Sequence, residues 1–408
     1  MRSASDELAS RFAPNDLGFI ADPYPAYAEL RERAPVLYDE ATDHWLISRF
    51  EDVNALLRDR RFGRTYLHIA THAEMGHPDP PTWHDPFWNL INAGILDQEP
   101  PDHTRVRRLV SKAFTPRYVE GLRPRVQSIT DELVERVSGA GEFDLLAEVA
   151  EPLPVTVIAE MLGVPESDRH LLRPWSADIC KMYELHPSLE MQHDAVRAST
   201  EFSDYLRALA RERRTDPGED LISQLAQVVD DGERLSEDEL VGTCVLLLNA
   251  GHEATVNATG IGWWTLFRNE GTLHRLRDDR SLLPSGVEEL LRFDTPAQMF
   301  ERWVLEDVEL HGHAIPRGAE LGLLFGSANR DPEVFDRPDE LDLAREPNPH
   351  LTFGAGIHFC LGAPLGRQEL QVSFATVLDR LPNIELVREP EWKPNYVIRG
   401  LRELRVRA

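Results

Sequence analysis

Residues 350–370 read "HLTFGAGIHFCLGAPLGRQEL" and hold one of only three cysteines in a chain of 408 residues. Gly354 and Gly356 permit backbone angles, and a closeness of approach to a flat ligand, that other residues do not. Cys360 stands just before a segment with the spacing of an amphipathic helix. Free N–H groups at a helix start favour an anion, and hence a thiolate. A thiolate placed there can ligate a soft or borderline metal. On the residues alone, other readings stay open. Cysteine is often just a small buried residue, and a nucleophilic cysteine would need His/Asn or His/Asp partners that sequence cannot place. A dinucleotide-binding G-x-G-x-x-G fails, because Phe359 occupies the third glycine position.

The wider composition sets bounds. The net charge is −26, from 44 basic and 70 acidic residues. That balance argues against nucleic acid or an anionic membrane as partner, since both need clustered Lys and Arg. No apolar run reaches the roughly 18–20 residues of a membrane span, and the first residues lack the apolar core of a signal peptide. A soluble, cytoplasmic protein is expected. Cys180, Cys244 and Cys360 are few, odd in number and far apart, so neither a disulfide framework nor structural zinc is indicated.

Helical periodicity dominates the chain. Helices are expected around 103–113, 116–138, 145–162, 168–183 and 189–213, with a long one from about Ser236 to Phe267. Ser236 and Glu239 have the spacing of a capping box. "VLYDEATDHWLISR" reads as two short strands around a polar turn, and strand signals return between Val304 and Leu324. Residues 71–94 are rich in Pro, His and Trp and read as an irregular loop with one short helix. No repeat or linker divides the chain. A single, mainly α domain over residues 1–408, with small sheets, is expected.

The string from Phe353 to Gly362, F-G-A-G-I-H-F-C-L-G, resembles the haem-binding signature of the cytochrome P-450 family, F-x-x-G-x-H-x-C-x-G, at every fixed position. The resemblance implies haem b as cofactor and Cys360 as thiolate ligand of its iron. It places Phe353 and Gly362 beside the thiolate and His358 at a haem propionate. Further landmarks follow in order. "PPDHTRVRRLVSKAFTP" holds His103 and Arg107 at the spacing of the family's propionate-binding H-x-x-x-R, and Arg302 in "FERWVLEDVELHG" matches another propionate ligand. Buried carboxylates need such cationic donors. "GVEELLRF" supplies the family's E-x-x-R as Glu289 and Arg292, with Arg337 of "FDRP" as the expected third member. These three are structural. The implied fold is the family's prism-shaped, mainly α domain.

The long helix carries "NAGHEAT". A zinc-protease H-E-x-x-H is ruled out by Val256. The family's A-G-x-(D/E)-T matches at Ala250, Gly251, His252 and Glu253, but Ala254 stands where the threonine belongs and Thr255 follows one residue later. The resemblance implies that Ala250 and Gly251 leave room for dioxygen and that Glu253 relays protons. With the hydroxyl missing at Ala254, a substrate hydroxyl or a water takes its place, or Thr255 turns in, or coupling is poor.

The reading is a haem-thiolate monooxygenase that inserts one atom of O2 into a small hydrophobic substrate. Electrons come from a separate ferredoxin and its reductase, docked on Arg105, Arg108 and Lys112. Substrate contacts are expected from Trp83, Phe87, Trp88, Leu246, Ala250, Ala297, Met299, Phe300 and Val397. A peroxide-driven peroxygenase and a non-catalytic haem sensor or carrier are the alternatives. The protein is expected to be monomeric.

Overall fold

The longest helix, Glu237–Arg268, runs 32 residues, about 48 Å at 1.5 Å per residue. The structure is a computed structural model and describes residues 8–408. The capping box forms at the start of this helix. Ser236 Oγ accepts from the Glu239 N–H at 3.1 Å, and Glu239 Oε2 accepts from the Ser236 N–H at 2.8 Å. The first half of the helix packs on helices Asp85–Ala93, Pro152–Leu162, Arg169–Cys180 and Leu189–Thr215. The second half packs on Leu283–Phe293 and Ala363–Arg380. No helix among the described residues is long and apolar enough to cross a membrane.

Small sheets flank this helical body. β1 (Val36–Asp39) and β2 (His44–Ile47) form the expected hairpin. They join β3 (Phe62–Gly63), β5 (Phe300–Val304) and β8 (Glu320–Leu323) in a five-stranded sheet of order β1-β2-β8-β5-β3. β4 (Glu142–Asp144), β9 (Glu385–Leu386) and β10 (Arg405–Arg407) form a second sheet, and β6 (Val308–Leu310) pairs with β7 (His313–Ile315). The chain is therefore mainly helical with minor sheet, as the periodicity predicts.

Four segments refine or depart from the expected elements. Residues 145–162 are not one helix: a π-turn over Leu146–Ala150 gives way to a helix that begins at Pro152, where a missing N–H costs nothing. Residues 71–94 hold two 3₁₀ turns before the helix Asp85–Ala93. Helices Leu221–Gln227 and Glu270–Asp278 were not anticipated. Both are too short to show a clear periodic stripe, although Asp220 caps the first by accepting from the Ser223 N–H at 2.8 Å.

Candidate active site

A cavity of about 310 Å³ opens between the long helix and the cysteine loop. Its floor is the opening sequence. Gly354 and Gly356 both take left-handed angles, φ 67° and 70°. A side chain at Gly356 would also meet the Leu57 carbonyl oxygen at 2.3 Å, so the loop can lie this close only with glycine there. The loop returns on itself through Cys360 N–H donating to Phe353 O at 2.9 Å. Helix Ala363–Arg380 then starts behind Gly362, with Pro364 in its first turn.

Cys360 lines the cavity. Burial pushes its thiol up, opposed by the N–H groups of Gly362 and Ala363 and by the guanidinium groups of Arg107 and Arg367. That is a site which holds a thiolate once a positive metal sits against it. Arg107 donates to Phe359 O at 2.8 Å and so ties its helix to the cysteine loop. Arg367 lies over the Phe353 ring, 4.3 Å from its centre.

One rim of the cavity is rich in cationic donors. Arg302 is buried, and among the described residues its guanidinium donates only to the neighbouring Glu301 carbonyl. Burial and the nearby Arg64 push it down to about 9, with Glu99 opposing. The His103 ring lies 4.4 Å from that of His358, and His103 Nε2 is buried without a partner. Burial, His358 and Arg107 push His103 down to about 4, so at neutral pH it is an uncharged ring. Orphaned donors of this kind call for acceptors. Two propionates of a haem would supply them, and Cys360 would supply the iron ligand. The residues present therefore fit haem b. Arg302, Arg107, His103 and His358 would hold its carboxylates, and Arg64, which also lines the cavity, joins them.

His358 also has a partner the sequence did not suggest. Its Nε2 lies 3.2 Å from Glu99 Oε1. Burial raises the Glu99 carboxyl, but His358 and the Arg64 backbone N–H outweigh it and hold it below the ordinary range. Neither Glu99 nor Arg64 sits in a recognisable pattern. Only their place beside "PPDHTRVRR" and the β3 strand hinted at them.

On the opposite wall, Ala250, Gly251, Ala254 and Thr255 line the cavity. Gly251 has a second reason to lack a side chain: a Cβ there would lie 2.5 Å from Ile158 Cδ1. The glycine lets two helices cross closely. Glu253 points off the cavity edge, where Lys393 Nζ donates to its Oε1 at 3.0 Å and Asn257 Nδ2 at 3.4 Å. Burial raises the Glu253 carboxyl, but Lys393 and His252 overcome this and keep it ionised below its ordinary pKa.

Of the expected substrate contacts, Leu246, Ala250, Ala297, Met299, Phe300 and Val397 line the cavity. Three do not. Phe87 and Trp88 pack into the helical core, because 87, 90 and 91 form the inward stripe of their helix. Trp83 lies at the surface, stacked on His193 at 4.4 Å.

Two further expectations are corrected. Arg337 does not touch Glu289. It sits at φ 45° in an exposed turn and pairs with Asp336 and Glu340. Arg345 takes the place, donating to both Glu289 oxygens. Arg105, Arg108 and Lys112 are not free cations either. Arg105 pairs with Glu239, Arg108 with Asp230 and Glu233, and Lys112 with Asp230.

Comparison with known proteins agrees with this site. The family model described as Cytochrome P450 matches residues 76–383. Cytochrome P450 107B1 of Saccharopolyspora erythraea is 41% identical, covering 96% of each chain. The 6-deoxyerythronolide B hydroxylase of the same organism is 38% identical over 95% of this chain and 96% of its own. The solved structure of the Bacillus subtilis bacillaene polyketide synthase cytochrome P450 PksS superposes with a TM-score of 0.88 at 35% identity, over 97% of this chain and 99% of that one. When bound, haem b supplies the iron at which dioxygen is activated for insertion of one oxygen atom. A haem-fitting floor under Cys360, within a fold shared along nearly the whole chain, places it: this chain belongs to the cytochrome P450 family of haem-thiolate, oxygen-incorporating oxidoreductases.

Proposed function

We propose that this monooxygenase oxidises a bulky, mostly apolar substrate carrying hydroxyl or carbonyl groups, of the polyketide-lactone kind, with electrons from a separate ferredoxin and its reductase. The observation that carries the reading is Asn249. Its side chain is 2% exposed, and both its amide nitrogen and its oxygen lack partners. It lines the cavity beside Tyr183, whose buried phenol burial holds well above its ordinary pKa and therefore neutral. The Thr243 hydroxyl is a third unpartnered group on this wall. Buried polar groups left unpaired cost about 1–3 kcal/mol each, so a ligand that pairs them gains specificity. The rest of the wall is apolar. Two relatives named for a polyketide synthase and for 6-deoxyerythronolide B support the same class.

Glu253 is the acid that delivers protons towards dioxygen in this reading. To do so it must leave Lys393 and turn to the cavity edge. Ala254 offers no hydroxyl to order the intervening water, so a substrate hydroxyl near Ala254 or the Thr255 side chain completes the path.

An acidic ferredoxin would compete with Asp230, Glu233 and Glu239 for Arg105, Arg108 and Lys112. Nearest Cys360, the cysteine loop exposes Ile357 and Phe359, 44% and 41%, an apolar patch suited to close approach of an electron donor. The test is a binding screen that follows the low- to high-spin shift of the holoprotein. Macrolactones and other polyketides should shift it and be oxidised with ferredoxin, reductase and NAD(P)H. A panel that shifts only with simple hydrocarbons lacking oxygen would overturn the substrate class. Turnover with hydrogen peroxide alone, and none with ferredoxin, would overturn the electron source.

A further inference from the structure

We propose that His44, Glu301 and Glu320 form a binding site for a divalent transition-metal ion of the zinc class, on the five-stranded sheet and apart from the haem iron. Strand register brings the three together. His44 of β2 is the Cα partner of Glu320 of β8. Glu301 of β5 pairs with Gly322, one step of two residues along β8 from Glu320. Side chains two residues apart share a face of a strand, so all three project on one side. One ligand atom from each lies within 4.8 Å of the others.

The imidazole is what turns an acidic pair into a metal site. His44 is 7% exposed. Its Nδ1 lies 2.5 Å from the Thr42 carbonyl oxygen, which can only accept, so Nδ1 carries the proton. Nε2 then presents a lone pair. It is buried and has no hydrogen-bond partner, and it stands 3.6 Å from Glu320 Oε2, beyond hydrogen-bond range. An N–H on one ring nitrogen fixed by a backbone carbonyl, with the other nitrogen free, is the arrangement of a metal-binding histidine. Glu301, Glu320 and the nearby Asp43 thus gather three acidic side chains around one imidazole.

Among the described residues, the cation that ion-pairs with the cluster is Arg64. It lies 3.8 Å from Glu301 and is itself shared with Asp97 at 2.9 Å. His44 is the only ion-pair partner of Glu320 among the described residues. Glu301 and Glu320 are part-exposed, which gives an ion a way in. One nitrogen and two carboxylate ligands suit zinc, whereas calcium and magnesium take oxygen ligands alone. Tetrahedral zinc sets its ligand atoms about 3.4 Å apart, within reach of side-chain rotation from the spacing seen. A water would fill the fourth position. Bound there, the ion would clip β2, β8 and β5 together, one residue from Arg302 on β5.

The experiment uses holoenzyme stripped with a chelator and then incubated with zinc sulfate. Wild type is expected to retain one more equivalent of zinc than His44→Gln or Glu320→Gln after desalting, and zinc is expected to raise the unfolding midpoint of wild type only. Anomalous diffraction at the zinc edge should place the ion on His44 Nε2. Equal zinc content and equal midpoint response in wild type and His44→Gln would overturn the site and leave a plain imidazole–carboxylate pair. Equal retention of magnesium would overturn the metal class. Should His44→Gln fail to fold, Glu301→Gln, at a part-exposed ligand, gives the same comparison. None of these readouts depends on catalytic turnover, so the site and the substrate reading fail separately.

Discussion

Arg345 Nε donates to both oxygens of Glu289, at 3.1 and 3.0 Å, while Arg292 holds the same carboxylate from the other side at 2.7 and 2.8 Å. Glu289 and Arg292 are fully buried. Arg345 extends the lock by donating to the carbonyls of Asp336, Arg337 and Glu340. One guanidinium thus pins the loop before the cysteine string to the helix Leu283–Phe293. Arg345→Ala should cost about 2–3 kcal/mol, the range for a hydrogen-bonded buried charge losing a partner, and lower haem retention. Arg337→Ala, at a solvent-exposed pair, should leave the unfolding midpoint essentially unchanged. Thermal unfolding of both variants checks this; equal losses would return Arg337 to the lock.

Glu288, the other acid on that helix, has a separate task. Arg367 of the cysteine-side helix binds its two oxygens at 2.7 and 2.8 Å, and His350 Nε2 lies 3.1 Å away. Burial alone would raise the carboxyl, but His350 and Arg367 bring it down to about 2. A depressed carboxylate binds fewer protons in the folded than in the unfolded state. Its contribution is present above the ordinary carboxylate range and is lost as pH falls towards about 2. The stability gap between wild type and Glu288→Gln should therefore narrow as pH drops below about 4.5. Melting curves at stepped pH read it; a gap that stays constant or widens on acidification would refute the assignment.

The contrast between Arg345 and Arg337 shows where sequence runs out. The cysteine string was legible because it is local: glycines, cysteine and helix start lie within thirteen residues and carry their own geometry. The capping box at Ser236 and the long helix were legible for the same reason. Arg337 and Arg345 are both arginines in the loop after the same helix, and only the left-handed turn at Arg337 sends one to solvent and the other inward. Likewise the spacing of Arg105, Arg108 and Lys112 showed a basic helix face but not the acidic segment 230–239 folded against it. Phe87 and Trp88 are aromatic residues of the loop region expected at 71–94, and helix rotation packs them against the core. Glu99 and Arg64 depend on long-range contacts with no sequence pattern.

Cys360 can be tested directly. Reduced holoprotein with carbon monoxide should show the strongly red-shifted Soret band of thiolate-ligated haem. Cys360→Ser should lose that band while retaining the fold by far-UV circular dichroism. A band unchanged in the variant would remove Cys360 as ligand.

Ala254 and Lys393 bear on proton delivery. Ala254 lines the cavity beside the ion pair of Glu253 and Lys393. Ala254→Thr adds a hydroxyl at the cavity wall and should change the ratio of product to released hydrogen peroxide. Lys393→Met frees Glu253 from its partner and, with burial then unopposed on that side, should raise the pH below which turnover is supported. An unchanged ratio across several substrates, and an unchanged pH profile, would detach both residues from the path.

Asn249 gives the sharpest test of the substrate class, because its amide sits buried in the cavity wall with the Tyr183 phenol as a polar neighbour. The group is buried with its nitrogen and oxygen unpaired in the cavity, so replacing it with leucine of similar size removes a cost from the empty enzyme. Asn249→Leu should be at least as stable as wild type. For a substrate bearing a hydroxyl or carbonyl, the lost pairing should weaken binding by roughly 10-fold, about 1.4 kcal/mol. For a hydrocarbon of the same shape, affinity should hold or improve. Spin-state titrations of the two ligand types on both proteins measure the difference. If the variant loses affinity for both alike, Asn249 acts by shaping the cavity and not by reading an oxygen function. The substrate would then be selected by apolar contact with Leu246, Met299 and Val397 alone.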